Sequence, residues 1–328
     1  MNVLVVGGAG YIGSHVCKAL KKAGFTPIVY DNLENGHFWA VQWGPLVEGD
    51  LLDSVALRNC FEKYLPIGVI HLASYINARE SMSQIEKYYE NNVIGSLRLF
   101  EEMGRQKVTK LVFSSTAAVY GDPIQVPITE DHPCKPINVY GKTKWVVENL
   151  LGEFYKKHGI CSVALRYFNA AGADPEGEIG EAHAPETHLI PLAILSALGK
   201  NPAFKIFGTD HSTPDGTPIR DYIHVTDLAQ AHVLALEWLI KGGTTIALNL
   251  GCGQGYSVQE VIAMIEKVMN QPVPRQIAEK NPSDPPVLVA NTAKAQEILN
   301  WKPCYSDLET IITTAFNWYK KDSLRESD

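Results

Sequence analysis

Tyr140 and Lys144 stand four residues apart, which places them one turn apart on one face of a helix. A phenol ordinarily ionises near pH ~10, so it works as a base near neutrality only beside positive charge. Lys144 supplies such a charge. The spacing alone carries little weight: 14 Tyr and 29 Lys+Arg in 328 residues give roughly one such pair by chance. Its place in the chain matters more. The pair opens a helical stretch that follows the apolar run Leu111–Phe113, and that run ends in Ser114-Ser115-Thr116. A hydroxyl at Thr116 can bind a reacting hydroxyl and relay its proton to Tyr140.

A second constellation lies at the start of the chain. Gly7-Gly8-Ala9-Gly10-Tyr11-Ile12-Gly13 follows the β-branched run Val3–Val6 and opens a helix. Glycines there permit a tight turn and close backbone approach, and the helix start offers N–H groups to a pyrophosphate. Asp31 ends the next apolar run about 20 residues on, where a carboxylate accepts from both ribose hydroxyls and repels a 2′-phosphate. Strand, turn, helix and acid together favour NAD over NADP. An oxidised nicotinamide ring adds a second positive charge near Tyr140. Asp50, after Val47-Glu48-Gly49, is within reach of an adenine.

The elements that must hold these residues are readable as a pattern. Short apolar runs at Val3–Val6, Pro27–Tyr30, Val69–Leu72, Leu111–Phe113 and Ser162–Leu165 alternate with helical stretches near Tyr11–Ala23, Ser54–Lys63, Ile85–Gly104 and Tyr140–Lys157. Continuous apolar strands separated by helices predict a parallel sheet covered on both faces. After residue 172 the texture changes. Loops are expected over 173–187, 208–221 and 279–286, with helices at Leu189–Leu198, Val225–Leu239, Val258–Met269 and Asp307–Lys320, and a frayed tail from residue 322. The predicted fold is α/β: a doubly wound Rossmann sheet over 1–172 and a smaller C-terminal α/β substrate domain over 173–328. Part of 221–250, including the strand Ile246–Leu250, is expected to return to the first unit.

Composition limits the partners. With 45% hydrophobic and 20% charged residues the chain has globular usage. A net charge of −7 argues against nucleic acid as the ligand, since phosphate neutralisation needs a basic face. No apolar stretch approaches the ~20 residues of a membrane span. The six cysteines stand singly, with no metal or redox spacing, so free thiols, no metal and a cytoplasmic location are expected.

Along nearly its whole length the chain resembles the extended short-chain dehydrogenase/reductases, and among them the UDP-glucose (UDP-galactose) 4-epimerases. The resemblance rests on Gly7–Gly13, Asp31-Asn32-Leu33, Gly49-Asp50, Asn91-Asn92-Val93, Ser114–Gly121, Tyr140–Lys144, Arg166–Asn169, Gly216–Asp227 (with Arg220-Asp221-Tyr222-Ile223-His224-Val225 the most specific) and Asp284. It implies Tyr140, Lys144 and Thr116 as catalytic residues. It implies a cofactor site of Gly7, Gly10, Tyr11, Ile12, Gly13, Asp31, Asn32, Asp50, Leu51, Leu72, Ala73, Asn91, Ser114, Tyr140, Lys144 and Tyr167. For a UDP-sugar it implies Thr116, Tyr140, Asn169, His188, Leu189, Arg220, Asp284 and Leu288. His224 reads as structural. The implied reaction oxidises and re-reduces C4 of the sugar, and a homodimer joined through helices 85–104 and 140–157 is implied as well.

Related dehydratases carry an Asp-Glu pair just after the hydroxyl, and decarboxylases a Glu; here Ala117-Ala118 follow, which favours epimerisation. A non-catalytic NAD-binding scaffold would have no need of Tyr140, Lys144 and Thr116 together. Several positions depart from the pattern. Thr116 replaces the commoner Ser. Asn281 and Ser283 replace an Arg and a Gly, so that Lys280 or Arg275 would have to supply the lost diphosphate contact. Ile76 replaces a Lys, with Arg79 nearby. His188 replaces an Asn. Leu288, intermediate in size at the position that gates the sugar pocket, predicts at least weak turnover of UDP-N-acetylglucosamine.

Overall fold

The computed structural model describes residues 1–280 and 285–325. The chain runs β1 (Asn2–Val6), α1 (Tyr11–Lys22), β2 (Thr26–Asp31), β3 (Leu46–Glu48), α2 (Ser54–Tyr64), β4 (Gly68–His71), α3 (Ala78–Ser81), α4 (Ile85–Tyr89) and α5 (Ser96–Gln106). It continues with β5 (Lys110–Ser114), α6 (Val139–His158), β6 (Cys161–Tyr167), β7 (Asn169–Ala171), α7 (Leu189–Ala197), β8 (Phe204–Phe207), β9 (Ile219–His224) and α8 (Val225–Ile240). Last come β10 (Ile246–Leu250), β11 (Gly255–Ser257), α9 (Val258–Met269), β12 (Arg275–Ala278), β13 (Val287–Leu288), α10 (Ala293–Leu299) and α11 (Leu308–Arg325).

Seven parallel strands form the main sheet in the order β10-β6-β5-β4-β1-β2-β3. The apolar runs are continuous because both faces are covered. Val3 and Val5 of β1 pack with Val16 and Leu20 of α1 and with Leu228 and Leu236 of α8. Leu4 and Val6 point the other way, to Phe61 of α2, Phe100 of α5 and Val147 of α6. Each such fully buried Val or Leu contributes about 1.5–3 kcal/mol relative to exposure. The chain order reverses between β1 and β4. A doubly wound sheet has its ligand crevice at that switch, at the carboxyl ends of the strands.

β10 lies at the sheet edge beside β6, and α8 and α10 cover the face that α1 covers. Over residues 173–325 the remaining elements build a separate core in which α7, α9 and α11 enclose Ala193, Ile262 and Ile311. Two small sheets accompany it: β8 with β12, and β9 flanked by β11, β13 and β7.

Three local readings change. The loop expected over 208–221 ends at residue 218, because Ile219–Asp221 pair with Gly255–Ser257 on one side and Ile219 and Arg220 with Val287 and Leu288 on the other. The single helical stretch expected over 85–104 is broken by a π-helical turn at Glu90–Gly95. The last helix extends to Arg325, past the residue where fraying was expected. The expected loop over 279–286 includes residues 281–284, so Asn281, Ser283 and Asp284 lie outside the described residues.

Candidate active site

The glycine loop sits at the switch point. Gly7 has a φ of +82°, and a Cβ there would lie 2.5 Å from the backbone nitrogen of Ala73, which follows β4. A Cβ on Gly13 would lie 2.0 Å from the Gly7 carbonyl oxygen, so only glycine lets α1 start this close to β1. A Cβ on Gly10 would touch only the Gly7 oxygen, at 3.5 Å, so the outer side of the turn is open to a ligand. Gly10 provides no side-chain cap, the first turn of α1 holds no acid, and Lys21 and Lys22 close its far end. The N-terminal N–H groups and the helix dipole therefore face outward for an anion.

Asp31 is buried beside this turn. Its carboxylate accepts from the backbone N–H groups of Ala9 (2.9 Å) and Leu33 (2.9 Å). Burial raises its pKa, while those two N–H groups act in the opposite direction. Gly36, which sequence reasoning missed, belongs to the same cradle: its Cβ would fall 2.9 Å from Asp31 Oδ1. Asn32 Nδ2 donates to Asp50 Oδ2 (2.9 Å), so these two predicted residues meet. Leu51 and Ala73 line one core beneath the crevice, and Ile12 and Leu72 the other. Tyr11 spends its hydroxyl on the Gly172 carbonyl (2.6 Å). The open turn and the acid beside it fit an adenine dinucleotide.

α6 carries the proton-transfer pair. Asn138 caps its start by accepting from Gly141 N (2.8 Å), and Gly159, at φ +69°, ends it after Lys156, Lys157 and His158. Tyr140 falls in the first turn, its backbone N–H held by Ser81 Oγ (3.1 Å). Burial raises the Tyr140 pKa above its ordinary value. Neighbouring Tyr167 and Tyr88 raise it further, and a hydrogen bond with Thr116 opposes them. The structure thus brings Tyr140, Thr116 and Tyr167 together. Lys144 Nζ donates to the Ser114 carbonyl (2.8 Å) and lies 4.9 Å from the centre of the Phe113 ring. Burial pushes its pKa down to about 7, with the Glu148 carboxylate resisting. Ser114 Oγ meets His232 Nε2 at 2.9 Å.

Two positioning groups carry no role in the sequence reading, although Asn92 stands in the Asn91-Asn92-Val93 motif. Glu148, one turn beyond Lys144, accepts from Arg166 Nε (3.0 Å) and Nη2 (2.6 Å) and from the Ser115 hydroxyl. Both charged side chains are 6% exposed. An arginine in an otherwise apolar central strand is the sequence signal that could have flagged this pair. Asn92, rather than Asn91, makes the structural contacts of the π-helical turn. It accepts from Tyr75 N (2.9 Å) and donates to Tyr75 O (3.0 Å) and Thr143 Oγ1 (3.1 Å), tying the segment after β4 to α6. Asn91 donates to Asn92 (2.9 Å).

The predicted sugar-side residues fall into two groups. Asn169, Arg220 and Leu288 share the small sheet around β9, with Leu288 paired to Arg220 and Asn169 to Tyr222. Leu288 packs against the cluster that holds Ala117, Val119 and Phe168, so it reaches the turn after Thr116. Arg220 Nη1 donates to the Ile219 carbonyl (2.8 Å). Asp221 is occupied structurally, accepting from Cys252, Gly253 and Ala290 backbone N–H groups. His188 and Leu189 begin α7. His188 Nδ1 lies 2.8 Å from Glu181 and 2.9 Å from Glu186. Arg79 stacks over Phe207 at 4.2 Å, and Arg275 pairs with Glu266 (2.6 Å). His224, as expected, is structural: it accepts from Thr226 N (3.1 Å) at the start of α8.

Comparison with known proteins agrees with this geometry. The model of the NAD dependent epimerase/dehydratase family matches residues 3–251. The UDP-glucose 4-epimerase of Rhizobium leguminosarum bv. trifolii is 50% identical over 322 residues, 98% of each chain. The crystal structure of UDP-glucose 4-epimerase from Brucella ovis in complex with NAD superposes with a TM-score of 0.95 at 49% identity, covering 96% of this chain and 97% of that one. The enzyme from Bifidobacterium longum in complex with NAD+ and UDP gives 0.94 at 34% identity, over 98% and 99%. The fold class read from the sequence is borne out, and the protein is an NAD-dependent enzyme. A cradle shaped for a dinucleotide, a phenol and lysine one turn apart beside it, and likeness along the whole length together show that the chain belongs to the NAD dependent epimerase/dehydratase family.

Proposed function

We propose that the protein interconverts UDP-galactose and UDP-glucose by transient oxidation at C4, and that it accepts UDP-N-acetylhexosamines to a lesser extent. The observation that carries this reading is the hydroxyl pair Thr116–Tyr140 followed by Ala117 and Ala118. No second acid or base stands in the turn to drive water elimination or decarboxylation.

NAD held at the Gly7–Gly13 turn beside Asp31 would supply reversible hydride acceptance at C4 of the sugar. The chain's residues manage the proton and the orientation. Thr116 receives the proton of the sugar 4-hydroxyl and passes its own to the Tyr140 oxygen. Burial, Tyr167 and Tyr88 hold that phenol protonated and the Thr116 hydrogen bond opposes them. The Lys144 ammonium, anchored on the Ser114 carbonyl, adds a positive charge that favours the phenolate. General-base catalysis of this kind supplies about 10²–10⁴ in rate. Asn169, Arg220, His188, Leu189, Leu288 and Asp284 are assigned to the UDP-sugar, with Arg220 as a phosphate contact. Residues 1–172 with part of 221–250 form the cofactor domain in this reading, and 173–328 the sugar domain.

A cytoplasmic homodimer completes the proposal. Exposed Ile85, Tyr89 and Ile94, with Tyr155 on α6, give helices α4 to α6 an apolar outer face. Among the described residues no helix is long and apolar enough to cross a membrane. The deciding assay incubates purified protein with UDP-galactose and no added reductant. UDP-glucose as product supports the reading. A 4-keto-6-deoxy sugar, release of carbon dioxide from UDP-glucuronate, or no turnover of any of these substrates overturns it.

A further inference from the structure

The loop entering α7 reads Glu181-x-His183-x-x-Glu186-x-His188. It turns two carboxylates and two imidazoles towards one point, with one ligand atom of each within 4.8 Å of the other three. His188 Nδ1 lies 2.8 Å from Glu181 Oε1 and 2.9 Å from Glu186 Oε1. His183 Nδ1 lies 3.1 Å from Glu181 Oε1 and 3.7 Å from Glu186 Oε2. Four ligands at ~2.0–2.2 Å around a tetrahedral ion are separated by about 3.4 Å. The four imidazole–carboxylate distances depart from that separation by about 0.3–0.6 Å, and the widest pair, within 4.8 Å, would close by at most about 1.4 Å.

Hydrogen bonding alone leaves this cluster mismatched. Each Nδ1 carries at most one hydrogen, yet the His188 nitrogen faces two carboxylate oxygens, one on Glu181 and one on Glu186. Glu186 Oε1 is already engaged by the backbone N–H groups of Thr187 (2.6 Å) and His188 (2.8 Å). Glu186 Oε2 is buried with no hydrogen-bond partner, on a side chain 7% exposed. His183 Nδ1, at 3.7 Å from that oxygen, is too far for a hydrogen bond. The neighbouring trio Asp174, Glu176 and Glu178 differs, since Lys18 already fills it at 2.6–2.8 Å.

We propose that Glu181, His183, Glu186 and His188 form a divalent transition-metal site of the zinc class. Mixed imidazole and carboxylate ligands suit zinc better than calcium or magnesium, which prefer all-oxygen shells. Two carboxylates balance the charge of the ion. The surroundings are prepared: Trp318 Nε1 donates to the Glu181 carbonyl (3.0 Å), and Tyr11 packs edge-on against His183 at 6.2 Å. A filled site would staple the 173–188 loop between α11 and the first turn of α1. Ligation through Nδ1 leaves the His188 Nε2 outside the metal shell. Because His188 is also assigned to the UDP-sugar in the proposed function, the test reads metal binding and not turnover.

The test uses tag-free, full-length protein with bound NAD, stripped of metal and titrated with Co2+. One equivalent should give the visible ligand-field band of tetrahedral cobalt, displaced by one equivalent of Zn2+. His183→Ala and Glu186→Gln should each lose the band and weaken zinc binding at least ~100-fold. Zinc at a hundredfold excess over its Kd should raise the wild-type thermal midpoint by roughly 4 °C. This wild-type measurement decides the matter even if a variant fails to fold. Absence of a stoichiometric band and thermal shift in the wild type, or a band retained by both folded variants, overturns the site.

Discussion

Glu148→Gln separates the machinery that performs the chemistry from the machinery that holds it. In the native protein the Glu148 carboxylate is bound by Arg166 through Nε at 3.0 Å and Nη2 at 2.6 Å, and both side chains are 6% exposed. Removing one partner of such a buried pair strands the other charge, at a cost of about 3–5 kcal/mol. Glutamine keeps the shape and one acceptor, so the lower end applies, about 3 kcal/mol. A chain of 328 residues has an unfolding entropy of roughly 0.7 kcal/mol/K, so the thermal midpoint should fall by about 4 °C.

A second consequence is specific to the site. Burial depresses the Lys144 pKa to about 7, and Glu148 is the group that resists. Burial disfavours the ammonium, and a nearby carboxylate favours it. Loss of Glu148 therefore lowers the Lys144 pKa further. Because the ammonium form supports the Tyr140 phenolate, the alkaline limb of the kcat/KM profile should move to lower pH in the variant. Calorimetry and a pH–rate series between pH 6 and about 9 read the two effects separately. The double replacement Glu148→Met with Arg166→Met leaves no stranded charge and should recover part of the lost stability, but not the alkaline limb. A midpoint unchanged in Glu148→Gln would refute the burial argument, and an unmoved alkaline limb would refute the coupling to Lys144.

Tyr140→Phe should retain NAD and UDP binding while kcat falls at least ~100-fold; near-native turnover would show that another group is the base. Gly13→Ala should lose bound NAD, read by absorbance of the purified protein, since its Cβ would lie 2.0 Å from the Gly7 oxygen and α1 would have to back away from β1. Leu288→Tyr, at the wall shared with Ala117 and Phe168, should lower the ratio of UDP-N-acetylglucosamine to UDP-glucose turnover; an unchanged ratio removes Leu288 from the gate. Thr116→Val keeps the side-chain shape but not the relay hydroxyl, so its loss in kcat should exceed that of Thr116→Ser severalfold, a comparison made by initial rates.

What was legible in the sequence follows from the distance over which each feature is encoded. The glycine cradle is a strand, a turn and a helix start within a dozen residues, and its glycines are dictated by local contacts such as Gly13 against Gly7. Tyr140 and Lys144 need one helical turn. The groups that set their chemistry are encoded elsewhere: Lys144 answers to Ser114 on β5 and to a pair closed by Arg166 on β6. β9 was partly misread because its partners, β11 and β13, are three and two residues long, too short for an alternating pattern to register. Asn92 illustrates a third limit, since the π-helical turn that aims it is a departure from the regular helix that periodicity assumes. His188 shows the converse. The family pattern points it at the sugar, while its own neighbours Glu181 and Glu186, seven and two residues before it, hold its Nδ1. A residue's role in this site is thus divided between the ligand it reaches and the partner that orients it. The first is carried by likeness to relatives, and the second by contacts within the folded chain. Substitutions chosen from the roles that motifs assign would test Tyr140 and Lys144 and leave Glu148 and Glu186 untouched, although these are positions where the tuning of the site can be changed without removing its chemistry.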